Sequence, residues 1–88
     1  MSLAMIISQP GGPEVLKAVE RELVSPGPDE VSIRQEIIGV NFVDIYFRSG
    51  LYPQPYPQAV PGFEGAGVVT ATGSNVRSFA AGDRVAYT

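Results

Sequence analysis

Proline and glycine interrupt this chain so often that no helix or strand in it can run long. All eight prolines and most of the ten glycines fall in Pro10-Gly11-Gly12-Pro13, Ser25-Pro26-Gly27-Pro28-Asp29, the loop from Tyr52 to Gly62, Gly73-Ser74-Asn75 and Gly82-Asp83. Proline removes a backbone donor and fixes φ, and glycine admits the backbone angles of tight turns. What lies between these turns must therefore be short. Leu3 to Ser8 is an apolar run that reads as a first strand. Val15 to Leu23 places Val15, Val19 and Leu23 on one face of either a helix or a strand, and its position between two turns favours a strand. Glu30 to Gly39 alternates, with Val31, Ile33 and Ile37 on one face and Ser32, Arg34 and Glu36 on the other. That is the pattern of an antiparallel strand with one wet side. Gly65 to Thr72 and Arg84 to Thr88 complete the set. The expected fold is mainly β with one short helix, forming a small barrel or sandwich.

The helix is expected at Asn41 to Arg48. Val43, Ile45, Tyr46 and Phe47 cannot all face one side of a strand, whereas a helix capped by Asn41 and ended by Gly50 accommodates them. Asp44 and Arg48 stand four apart, a spacing that on a helix supports an ion pair worth roughly 0.3 kcal/mol. The surrounding stretch, Gly39 to Tyr52, sets an amide, a carboxylate, two phenols and a guanidinium into an apolar run beside an irregular loop. Binding clefts have this composition. A plain amphipathic element has it too.

Composition excludes several kinds of chemistry. The 88 residues contain no cysteine and no histidine. Disulfides, Cys/His zinc sites and Ser-His or Cys-His nucleophile pairs are therefore impossible within the chain. A net charge of −3, with six basic residues scattered singly from Lys17 to Arg84, argues against a nucleic-acid surface. Met1 to Ile7 lacks the basic leader of a signal peptide, and no apolar run approaches a membrane span. The expectation is a cytoplasmic domain. All eight aromatic residues come after Val40, so the later half carries the large contact surfaces.

Three stretches carry a resemblance: Gly39-Val40-Asn41-Phe42-Val43-Asp44, Arg48-Ser49-Gly50-Leu51-Tyr52 and Pro61-Gly62-Phe63-Glu64-Gly65-Ala66-Gly67-Val68-Val69. Gly11-Gly12-Pro13-Glu14-Val15-Leu16, Gly73-Ser74-Asn75-Val76 and Ala81-Gly82-Asp83-Arg84-Val85 support it. Together they resemble the medium-chain dehydrogenase/reductase superfamily, in its zeta-crystallin-type NADPH:quinone oxidoreductase branch. The resemblance implies that residues 1–88 are the front of a GroES-like catalytic domain, an incomplete β-barrel. The Rossmann domain that would bind NADPH is absent from these residues. Zinc-dependent members carry Cys and His where this chain has Asn41 and Phe42, and His where it has Phe63, so the resemblance points to the zinc-free branch.

By the same resemblance, Asn41, Asp44, Tyr46, Arg48 and Tyr52 fall beside the nicotinamide and the substrate. Asn41 would bond the cofactor or a substrate carbonyl. Tyr46 and Tyr52 either stack on a quinone or pack structurally. Asp44 and Arg48 are expected first as an ion pair holding the helix, and Glu64 as a structural carboxylate satisfying backbone or Arg donors. The implied reaction is hydride transfer to a quinone. Another activated-alkene acceptor, or a non-catalytic barrel module, are the alternatives. The Gly62 to Gly67 run is not a dinucleotide loop, because its glycines are not spaced G-x-G-x-x-G and a β-rich run succeeds it. A homodimer is the expected assembly.

The purified 88-residue chain is expected to self-associate through its open sheet edge and to show no NADPH-dependent quinone reduction. A strictly monomeric species in sedimentation counts against the first expectation, and turnover above the blank counts against the second.

Overall fold

The computed structural model describes residues 2–57 and 59–88. These form two compact units, one from Met1–Leu23 and Val40–Gly62, the other from Val24–Gly39 and Phe63–Thr88.

In the first unit, β1 (Ser2–Ile7) pairs antiparallel with β2 (Leu16–Arg21), in register from Ser2 opposite Arg21 to Ile7 opposite Leu16. The Pro10 to Pro13 turn and a single 3-10 turn, Pro13–Val15, join them. Ile7, Val15 and Ala59 form the buried cluster, with Leu16 and Tyr56 packed against it. Ala59 reaches this cluster from the proline-rich loop, and its carbonyl accepts the Ile7 N–H at 2.7 Å. Burying one such aliphatic side chain contributes about 1.5–3 kcal/mol, so a cluster this small leaves the unit dependent on its hydrogen bonds. The helix α1 (Phe42–Ser49) belongs to the same unit.

The second unit is a three-stranded antiparallel sheet of order β3-β4-β5, from Val31–Ile38, Gly65–Thr72 and Arg84–Tyr87. Its central strand alternates as a strand with one inward face must. Gly65, Gly67 and Val69 are buried, and the residues between them are not. Gly67 is a glycine for a reason of space, since a Cβ there would lie on the backbone carbonyl of Arg34. Two turns lock together beyond the sheet. Gly73 N–H donates to the Glu30 carbonyl at 2.7 Å, and Asn75 N–H to the Pro28 carbonyl at 2.8 Å. Asn75 Nδ2 adds a bond to Asp29 Oδ1 at 3.1 Å.

The strand and helix expectations hold, with one difference in β3. Val31 and Ile33 are half-buried, but Ile37 is 69% exposed. The register runs from Gln35 opposite Gly67 to Ile37 opposite Ala66, so Glu36 is an extra residue. One inserted residue interrupts the alternation at this point, and Ile38 beyond it is 67% exposed as well. The strands form two sheets, of two and three strands, and neither closes into a barrel among the described residues. No helix among them is long and apolar enough to cross a membrane.

Gly67→Val is expected to lower stability by about 1–3 kcal/mol through overpacking against Arg34. Urea unfolding measures it, and an unchanged midpoint would show that the strands have room to spare.

Candidate functional site

The site begins with the way α1 is started and stopped. Asn41 stands in extended geometry at the N-cap, φ −128° and ψ 160°. Its N–H donates to Asp44 Oδ2 at 2.9 Å, and the Asp44 N–H donates to the Asn41 carbonyl at 3.0 Å. Asp44 thus satisfies a donor that the helix cannot satisfy itself. Its other oxygen, Oδ1, is buried without a hydrogen-bond partner among the described residues. Gly50 ends the helix in the left-handed region at φ 90°, ψ 3°. It also lies against Pro10, whose Cβ would be 2.9 Å from a Cβ at position 50. A side chain there meets both a backbone penalty and a neighbour.

The last turn of α1 is held from three directions. The Tyr46 carbonyl accepts the Tyr52 N–H at 3.2 Å, the Phe47 carbonyl accepts the Tyr56 hydroxyl at 2.6 Å, and the Arg48 carbonyl accepts the Gly11 N–H at 2.9 Å. Arg48 returns a second bond to Gly11, from Nε to its carbonyl at 3.1 Å. This corrects the expected Asp44–Arg48 pair. The carboxylate is spent on the N-cap and the guanidinium Nε on the Gly11 turn, and an ion pair is found elsewhere, at Arg34–Glu36, 3.7 Å apart.

With its backbone so held, α1 half-buries Val43, Asp44, Phe47 and Arg48 and turns other apolar groups outward. Phe42 is 81% exposed, and Ile45 and Tyr46 are each 41% exposed. Tyr52, 45% exposed, stands edge-to-face against Tyr46 at 5.7 Å and against Phe47 at 5.5 Å. Each such contact is worth about 0.5–1.5 kcal/mol beyond area burial. The structure therefore gathers Tyr46 and Tyr52 into one phenolic surface. Asn41 stays exposed at the helix's opposite end, while Asp44 and Arg48 serve the backbone. Tyr56 carries no sequence signal of belonging with these residues, since only the folded loop brings its hydroxyl to Phe47.

The other unit has its own open cleft, of about 480 Å³, lined by Ile37, Gly39, Glu64, Gly65, Ala66 and the end of β5 from Ala86. Beside it, Gln35 Nε2 donates to the Tyr87 hydroxyl across Gly65, where any Cβ would crowd both side chains. Glu64 also departs from expectation. Its backbone carbonyl accepts the Gly39 N–H at 3.2 Å. Its carboxylate lies over Gly39 and takes no donor among the described residues. Nor do those residues contain three or more His, Cys, Asp or Glu grouped to hold a metal ion.

Residues 27–88 match the alcohol dehydrogenase GroES-like domain, and the chain belongs to that family. It is 54% identical over 77 residues to a quinone oxidoreductase of Pseudomonas aeruginosa, covering 88% of this chain and 24% of that protein. It is 43% identical over 89 residues to a 2-haloacrylate reductase of a Burkholderia species, covering 97% and 26%. It superimposes with a TM-score of 0.95 on Escherichia coli quinone oxidoreductase complexed with NADPH, at 44% identity, covering 98% of this chain and 26% of that one. The chain thus spans about a quarter of the length of these relatives. The resemblance read from the motifs is borne out.

Arg48→Met is expected to destabilise the chain by about 1.5–3 kcal/mol, the range for a hydrogen bond to a charged group. Thermal unfolding reads this directly, and a melting curve matching wild type would remove Arg48 from the support of the Gly11 turn.

Proposed function

We propose that this chain is the front of the catalytic domain of an NADPH-dependent quinone oxidoreductase that works without zinc. The observation that carries the reading is the half-exposed Tyr46–Tyr52 surface, fixed by backbone bonds at the end of α1. A flat, electron-poor acceptor is met well by aromatic faces and phenolic donors. Tyr46 and Tyr52 supply both, Phe42 and Ile45 add apolar cover against water, and Asn41 offers an amide to a carbonyl. The relatives named as quinone oxidoreductases support this choice of acceptor.

Zinc does not suit these residues. The chain has no imidazole and no thiolate, the usual donors of a catalytic zinc site. No step is therefore routed through a metal. For NADPH the fit is partial. The glycines from Gly62 lead into β4, so no helix N-terminus stands next to them to receive a pyrophosphate. The nicotinamide end alone suits the Asn41 to Tyr52 face, and the rest of the cofactor falls to residues outside this chain. NADPH, when bound, supplies the hydride. The chain's own work is to orient the acceptor and keep the surroundings dry. The same reading gives a cytoplasmic homodimer, and an 88-residue piece inactive by itself.

The haloacrylate reductase among the relatives favours a second acceptor class, an activated alkene. A conjugated acid would need a cationic partner, and in this chain Arg48 already spends its Nε on the Gly11 carbonyl. The quinone is the better fit.

In the full protein expressed from its gene, NADPH oxidation is expected with 1,4-benzoquinone and to be much weaker with 2-chloroacrylate. Tyr52→Ala is expected to raise the quinone KM by about two- to tenfold, the worth of one aromatic contact. A chelator such as phenanthroline is expected to leave the rate unchanged. Faster turnover of the acrylate would shift the reading to the alkene reductases, and chelator-sensitive turnover would end the zinc-free proposal.

A further inference from the structure

Tyr56 is fastened to two parts of the fold at once. Its ring packs on the buried cluster of Ile7, Val15 and Ala59. Its hydroxyl donates to the Phe47 carbonyl at 2.6 Å, in a part-buried setting. Only Pro53, Gln54 and Pro55 separate it from Tyr52, and within that span the Tyr56 N–H turns back to the Gln54 carbonyl at 2.8 Å. Two prolines of fixed φ leave the span little freedom. One end is pinned to the Tyr46 carbonyl by the Tyr52 N–H, and the other to the next carbonyl of the same helical turn. A stiff segment tied at both ends to adjacent points holds Tyr52 in one pose, with its ring edge-on to Tyr46 and Phe47.

We propose that Tyr56 is a positioning residue for the acceptor, and that its hydroxyl sets where the Tyr52 ring stands. The inference rests on the quinone-site reading given above. Tyr56 itself faces the buried cluster, so it acts through Tyr52 and not by contact with the acceptor. Without the Tyr56 hydroxyl the loop keeps its ring anchor in the core but loses its tie to α1. Tyr52 then samples several poses, and the acceptor binds less often in a productive one.

The test uses the full protein expressed from its gene, labelled with 3-fluorotyrosine, in wild-type and Tyr56→Phe forms. Phenylalanine keeps the ring in the cluster, and the Tyr87 resonance reports that the rest of the chain is folded. The expected result has two parts. The Tyr52 ¹⁹F resonance moves or broadens, and the KM for 1,4-benzoquinone rises by about threefold or more while kcat stays near wild type. In a Tyr52→Ala background, Tyr56→Phe is expected to add nothing to KM. A Tyr52 resonance that stays in place overturns the proposal, as does a KM effect that persists without Tyr52. If the resonance moves but neither Tyr56→Phe nor Tyr52→Ala alters the quinone KM, the quinone-site reading fails, and this role for Tyr56 fails with it.

Discussion

The carbonyl groups at the end of α1 are the constraint on which the first unit turns. A helix leaves its last four carbonyls without internal partners, and leaving them buried and unbonded is costly. Here three of them draw in three separate pieces of chain. Tyr52 N–H comes from the residue just past the Gly50 turn, the Tyr56 hydroxyl from the proline loop, and Gly11 N–H from the turn between β1 and β2. An eight-residue helix is too short to be stable by propensity alone. It persists because its end is where the unit's loops are tied together.

This arrangement separates holding from presenting. The groups that hold α1 are backbone atoms, one carboxylate, one guanidinium and one phenol. The groups that face outward are Phe42, Ile45, Tyr46 and Tyr52, and none of their side chains is needed to satisfy a buried donor or acceptor. A binding surface benefits when its contact groups are rigid but not committed elsewhere. The aromatic pair meets that condition, and Asp44 and Arg48 do not.

Much of this could be read from the sequence, and the failures share a cause. Turn residues at Pro10 to Pro13, Ser25 to Asp29, Gly62, Gly73 to Asn75 and Gly82-Asp83 placed all five strands, and Asn41 and Gly50 bracketed the helix, because each of these signals acts on its own neighbours. The Asp44–Arg48 pair failed because the competing partner of Arg48 lies 37 positions away, at Gly11. Ile37 is exposed where the alternation led one to expect cover, and the one-residue bulge at Glu36 that interrupts the alternation leaves no local mark in a strand. The cleft in the second unit was invisible for the same reason, since Gly39, Glu64 and Tyr87 meet only after three strands have paired. Tyr46 and Tyr52 were each singled out, but the edge-to-face contact between them depends on a loop closure that no spacing encodes.

The glycine at position 65 has a consequence of another kind. In a three-stranded sheet the outer strands normally communicate only through the middle one, by backbone bonds. Because Gly65 has no side chain, Gln35 and Tyr87 reach over it and touch directly. The outer strands thereby gain a side-chain link that bypasses the centre, beside the backbone bonds each makes to β4. The middle strand at this point serves as an opening between its neighbours.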